Sequence, residues 1–329
     1  FKKLWQLLCL NQFHDIIPGS SIRRVHEEAE TAYAEVIREA NLMATDSMRR
    51  LVRQDEDALT VFNSLNWTRR ELVELPKNFR GAVDDDGTAL EVQDFAEGKL
   101  VEVEVPSCGW ATLRQSRPSV RQRKGTSVKA SRRLLENDQL RLRINAAGQI
   151  VSLYDKQAGR ELAAGPCNHF RMYRDVPPKY DAWDILSSYE QEEIALNLSA
   201  DVDVMASGPL VASLRITRML NNSKMTQDIV LRRGSRRVDF ITTIDWRERH
   251  KLLKVAFPVD IQADHAVHEI QFGHICRPNH RSRPFDAERF EVCNHKWTAL
   301  IESNRGCAVL NDCKYGLNVL GKSINLTLL

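Results

Sequence analysis

Leu4, Leu7, Leu8 and Leu10 recur at helical spacing, so the chain opens with a predicted short amphipathic helix. Its apolar face around Leu4, Leu7 and Leu8 is expected to stand exposed for want of a partner. Residues 16–21, Ile-Ile-Pro-Gly-Ser-Ser, break the pattern with Pro-Gly turn chemistry. A second, longer helix is predicted from Val25, Ala29, Ala32, Val36, Ala40, Met43 and Leu51. Two helices joined in this way suggest part of a helical bundle.

Beyond Asp55 the apolar period changes from helical to alternating. Residues 59–63, 71–75, 90–93 and 100–105 read as short strands, with turn residues Asp84, Asp85, Asp86 and Gly87 among them. From Leu134 onward strands dominate. Residues 140–144 and 150–153 flank Asn145-Ala146-Ala147-Gly148, a predicted hairpin. Residues 211–216, 237–241 and 253–258 continue the series. The chain is therefore expected to be mainly β with an N-terminal helical segment. Residues 1–54 are the bundle segment, 55–114 a small β-domain, 115–133 a basic linker and 134–329 a large, truncated β-sandwich. Residues 1–8 read as helix interior without a cap, and 324–329 as a strand with no closing turn, so both ends are expected to be cuts through a longer protein.

Composition narrows the functions. Lys plus Arg is 47 against 44 for Asp plus Glu, a net charge of only +3 in 329 residues, which speaks against a nucleic-acid partner. The linker concentrates Arg117, Arg121, Arg123, Lys124, Lys129, Arg132 and Arg133, but lacks aromatic residues for stacking on bases, so it reads as a solvated loop. No apolar run is long enough for a membrane span. The seven cysteines form no CxxC pair and are expected to be reduced. Four sequons begin at Asn66, Asn197, Asn221 and Asn325; they carry no meaning in a cytoplasmic protein.

The densest candidate chemistry is Asn11-Gln12-Phe13-His14-Asp15-Ile16-Ile17-Pro18-Gly19-Ser20-Ser21. A histidine beside an aspartate, at a helix end before a tight turn, could serve as a metal ligand with a neighbouring acceptor for hydroxyls. It could equally be a turn cap with a locally satisfied histidine. Asp181 and Asp184 flank Trp183, a combination suited to a sugar ring but also to an ordinary loop. His274, His280 and His295 are spaced too irregularly to suggest a metal site.

The whole string from Asn11 to Ser21 resembles the helix-end motif of glycoside hydrolase family 38, the zinc-dependent α-mannosidases, in the branch of bacterial and cytosolic enzymes. The resemblance continues in the family's order through Val61-Phe62-Asn63-Ser64-Leu65-Asn66-Trp67, Asp175-Val176-Pro177 and Asp181-Ala182-Trp183-Asp184-Ile185. It extends through Gln271-Phe272-Gly273-His274, Arg277-Pro278, Phe290-Glu291-Val292-Cys293, His295-Lys296-Trp297 and Asn311-Asp312-Cys313-Lys314-Tyr315-Gly316. It implies that His14 is a zinc ligand and that Asp15 contacts the bound sugar. The remaining zinc ligands, one His and two Asp including the nucleophile, would lie on an upstream catalytic barrel, so no catalytic residue is expected in this chain. The implied protein is a retaining, cytoplasmic α-mannosidase acting on mannose-containing oligosaccharides. Its partners are its own barrel and bundle domains, a homo-oligomer staying open, and this chain alone is expected to be inactive and not to hold zinc. The alternative is a non-catalytic carbohydrate-binding or structural β-module.

Overall fold

A computed structural model describes residues 1–95, 98–117, 127–197 and 199–329. Two helices lead. Helix α1 covers Lys2–Leu10 and helix α2 Arg23–Leu51. The Asn11 side-chain amide donates back to the Leu7 carbonyl at 2.9 Å, and the Tyr33 hydroxyl of α2 donates to the Asn11 carbonyl at 2.8 Å. These bonds end α1 and seat it on α2. Leu4, Leu7 and Leu8 share one face by helical geometry and are half-buried. The expected exposed leucine face is therefore shielded only in part: no residue of α1 is fully buried, and Phe1 (77%), Trp5 (52%) and Leu10 (68%) stand in solvent beside it.

Two three-stranded antiparallel sheets form the small β-unit. One pairs Ala58–Asn63 with Gly109–Ser116 and then Gly81–Val83. The other pairs Arg69–Leu75 with Gly98–Val105 and then Val92–Phe95. Leu75, Phe79, Ala82, Val101, Val103, Val105 and Leu113 form their shared core. Within the stretch expected as a linker, Gln115 and Ser116 complete a strand, and Lys129–Ser131 is another. Val128 is buried in the large core. Arg121, Arg123 and Lys124 lie outside the described residues.

The large β-unit is built from sheets of five, six, four and four strands. The strand Ser223–Arg232 shows the driving pattern: Ser223, Met225, Gln227, Ile229 and Leu231 point inward and their neighbours outward. The predicted hairpin at 145–148 is present, with Ile144 paired to Ile150 and a bulge beside it. Gly148 has φ 74°, and a Cβ there would lie 2.7 Å from Ile216, so the turn demands glycine on two counts. One large core, including Leu142, Met172, Leu214, Ile229, Leu253 and Leu326, joins the five- and six-stranded sheets to the four strands at 201–245, and a smaller cluster of Val259, Ile261, Ala266, Leu300 and Ile324 underlies the remaining sheet.

Gln93 ties the small unit to the large one. Its side-chain carbonyl accepts from the Leu210 and Val211 amides at 2.7 and 2.9 Å, and its amide donates to the Val211 carbonyl at 2.8 Å. Nearby, Arg233 bridges Glu91 and Glu102, and Arg232 meets Glu71. Among the described residues no helix is long and apolar enough to cross a membrane.

Candidate functional site

Helix α1 stops at Leu10, so His14 sits in the following turn rather than on the helix end as expected. Amides of Ile16 and Ile17 donate to the Phe13 carbonyl, and Gly19 to that of Ile16, which winds residues 13–19 into consecutive turns. Gly19 has φ 79°, a conformation that favours glycine. The Ser21 hydroxyl donates to the Asp15 carbonyl and ties the far side of the loop. His26 donates from Nε2 to the Ser21 carbonyl at 3.1 Å, so its ring is already committed.

The loop presents His14 and Asp15 together. Their side chains are 70% and 47% exposed, and His14 Nε2 lies 3.7 Å from Asp15 Oδ2. The Phe13 ring stands 4.3 Å from the imidazole, tilted by 36°. His14 makes no hydrogen bond among the described residues, so its ring nitrogens remain open to an external ligand. One imidazole and one carboxylate are donors that zinc accepts, but a complete site needs about three or four protein ligands. Among the described residues no group of three or more His, Cys, Asp or Glu is gathered to hold a metal. The turn therefore fits a part of a zinc site.

Asp181, Trp183 and Asp184 lie on a second exposed loop, with Trp183 62% in solvent beside Tyr180 at 76%. Tyr180 has φ 56°, and its carbonyl accepts from the Trp183 and Asp184 amides at 2.8 and 2.9 Å. Asp181 faces His250 at 3.8 Å. No hydrogen bond, ion pair or ring contact joins this loop to the His14 turn among the described residues. His280 pairs with the Ser282 hydroxyl, His295 with the Gln271 amide, and His274 is exposed.

The base of the second loop rests on a buried polar cluster that the sequence reading did not assemble. The Leu186 amide donates to Asp175 Oδ1 at 2.8 Å, closing the loop's neck. Tyr189, fully buried, donates its hydroxyl to Glu291 Oε1 at 2.9 Å and receives the Asn318 amide at 3.0 Å. Glu291 also pairs with Lys254 and accepts from Thr327 at 2.8 Å. Glu190 takes a two-pronged contact from Arg281 at 2.7 and 2.9 Å. Burial pushes the Lys254 ammonium below the usual lysine range, against the opposing pull of Glu291. Burial raises the Tyr189 phenol, and the adjacent Glu291 reinforces this. Burial would also raise Glu190, but Arg281, Lys254 and Asn318 outweigh it and hold the carboxyl low. The available signal was a lysine in the middle of the apolar run Leu252-Leu253-Lys254-Val255-Ala256-Phe257.

Comparison with known proteins shows what the chain resembles. The "Glycosyl hydrolases family 38 C-terminal domain" matches residues 135–329, and the "Alpha mannosidase middle domain" matches residues 1–51. Alpha-mannosidase 2C1 of Homo sapiens is 35% identical over 99% of this chain, and Alpha-mannosidase G of Dictyostelium discoideum 30% over 99%. The chain spans only 31% and 34% of the lengths of those relatives. The crystal structure of an alpha-mannosidase from Enterococcus faecalis V583 shares the fold, with a TM-score of 0.79 at 17% identity, covering 100% of this chain and 46% of that one. Because the C-terminal domain pattern covers residues 135–329, more than half of the sequence, the chain belongs to glycosyl hydrolase family 38.

Proposed function

We propose that this chain is part of a zinc-dependent, retaining α-mannosidase and supplies His14 to the metal and Asp15 to the sugar. The observation that carries the reading is the exposed His14–Asp15 turn, held between two helices in the segment that matches the middle domain. A ligand on such a turn is reachable from outside the chain, as a site completed by another domain requires. Zinc bound there would supply Lewis-acid attraction for sugar hydroxyls. His14 would hold one coordination position through a ring nitrogen, and Asp15 would accept a hydrogen bond from a sugar hydroxyl. The Phe13 ring lies beside the imidazole.

The chemistry of retention needs two carboxyl groups about 5–5.5 Å apart across the scissile bond, one to attack the anomeric carbon and one to protonate the leaving oxygen. The family resemblance assigns the nucleophile to the barrel, outside these residues. Asp181, Trp183 and Asp184 are proposed to stand near the substrate, Trp183 offering a flat apolar face to a sugar ring. This chain alone contributes one assigned zinc ligand, which is too few for tight binding. Isothermal titration of the 329-residue chain with zinc, beside an aryl α-mannoside assay, tests the reading. It expects neither tight binding nor hydrolysis. Stoichiometric sub-micromolar binding abolished by His14→Ala, or clear hydrolysis, would show a complete site here.

A further inference from the structure

The turn that presents His14 and Asp15 is strapped to α2 at both of its ends. At the near end, the Tyr33 hydroxyl donates to the Asn11 carbonyl at 2.8 Å. At the far end, His26 Nε2 donates to the Ser21 carbonyl at 3.1 Å. Seven residues separate His26 from Tyr33, about two turns of helix, so both side chains leave α2 on one face. Ala29 lies between them on that face and alone among the residues of α2 is buried, at 5% exposure. Both ends of the turn are therefore fastened to a single stripe of one 29-residue helix.

The straps reach the candidate ligands through the backbone. The Ser21 hydroxyl donates to the Asp15 carbonyl, so the residue that His26 holds in turn holds the main chain beside His14. Asn11, which Tyr33 holds, is only 6% exposed and closes α1 by its own side-chain bond to the Leu7 carbonyl. Apart from the Ser21 bond, residues 13–19 are joined by backbone bonds alone, from Ile16 and Ile17 to Phe13 and from Gly19 to Ile16. Helix α1 cannot steady the turn by itself: it has nine residues, no capping side chain and no buried residue. An exposed imidazole without a side-chain bond of its own takes its direction from the backbone that carries it.

We infer that His26, Ser21 and Tyr33 are positioning residues for the metal site, holding the turn in the form from which His14 reaches zinc. The inference deepens the reading above that His14 is a zinc ligand and rests on it. Its physical content is preorganisation. A ligand whose binding-competent form is populated only part of the time binds more weakly by that fraction, so a turn held ready by α2 raises zinc affinity without touching the metal. Groups that support a metal ligand in this way are worth roughly tenfold to a hundredfold in affinity.

The test uses the complete enzyme with Tyr33→Phe, Ser21→Ala, His26→Ala and His26→Gln, whose amide offers a donor in place of the imidazole Nε2. Zinc affinity is measured by competition with a chelator, beside amide exchange of residues 13–21 and the urea midpoint of the zinc-free protein. Tyr33→Phe, Ser21→Ala and His26→Ala are each expected to weaken zinc about tenfold and to speed exchange across 13–21, at an unchanged urea midpoint. His26→Gln should restore most of the affinity. Parental zinc affinity in the strap variants would overturn the inference, whether or not their exchange quickens. So would a loss that comes with a fallen urea midpoint, the mark of a merely structural role, or one that His26→Gln does not repair. His14→Ala separates the two readings. If it loses zinc while the strap variants keep theirs, His14 remains the ligand and the positioning role fails. If it keeps its zinc, the metal reading fails and takes the inference with it.

Discussion

The Tyr189 hydroxyl donates to Glu291 Oε1 at 2.9 Å, joining two residues 102 positions apart beneath the loop that carries Trp183. The same carboxylate neutralises Lys254, which is only 2% exposed. Removing it by Glu291→Ala leaves a buried ammonium unpaired and is expected to cost about 3–5 kcal/mol. Tyr189→Phe keeps the ion pair and loses the hydroxyl's bonds to Glu291 and Asn318, for about 1–2 kcal/mol. Urea unfolding midpoints measure both. Because Tyr189 anchors the loop's base, Tyr189→Phe should also speed tryptic cleavage after exposed Lys179. An unchanged cleavage rate would mean that the Asp175–Leu186 neck alone fixes the loop.

Gln93 makes a second long-range connection. Gln93→Ala removes its three hydrogen bonds to Leu210 and Val211 and leaves buried backbone groups without partners. The expected loss is about 2–4 kcal/mol. The two β-units should then separate in denaturant, so that probes in each no longer report one transition. A cost below 0.5 kcal/mol, on the scale of about that size typical of surface changes, would show that the arginine pairs suffice.

Acid should weaken the fold through two named groups. Burial would raise Glu248, but Lys251, Asn221, the Asn222 amide and Ser223 together pull it down to about 2. Its folded value lies below the ordinary glutamate range of about 4.3, so its contribution is complete above that pH and is lost as pH falls towards 2. His268 is pushed down to about 4, chiefly by burial and secondarily by Arg277. Its unfolded form takes up a proton near pH 6.5, so its contribution is complete above about 6.5 and is lost between there and 4. Its ring contacts the Thr298 hydroxyl at 3.0 Å, a bond that an amide can imitate. His268→Asn should flatten the stability profile between pH 4 and 6.5 and leave the Glu248 limb below it, as read from urea midpoints across pH.

Local chemistry made much of this fold legible. Alternation marked Leu140–Ile144 and the strand beginning at Val211, and Asn145 with Gly148 marked the hairpin, because strand faces and turn geometry are short-range. What stayed hidden depends on distant partners. How far the rest of the chain shields the leucine face of α1 could not be read from α1 alone. Gln93 looks like a polar strand residue until its partners 117 and 118 positions away are known. Lys254 interrupts an apolar run, yet only the fold brings Glu291 to it. The His14–Asp15 pair was legible as a motif, but the helix end at Leu10, fixed by the Asn11 side chain, moved it from a helix to a turn.

The most direct measurement takes the complete enzyme and its His14→Ala and Asp15→Ala variants through zinc analysis and hydrolysis of an aryl α-mannoside side by side. His14→Ala removes one of about four protein ligands and should lose most of the zinc and the activity together. Asp15→Ala should lose activity while keeping much of its zinc, because its carboxylate is assigned to the sugar. A His14→Ala enzyme with full zinc and full turnover would contradict the assignment of this turn to the metal site.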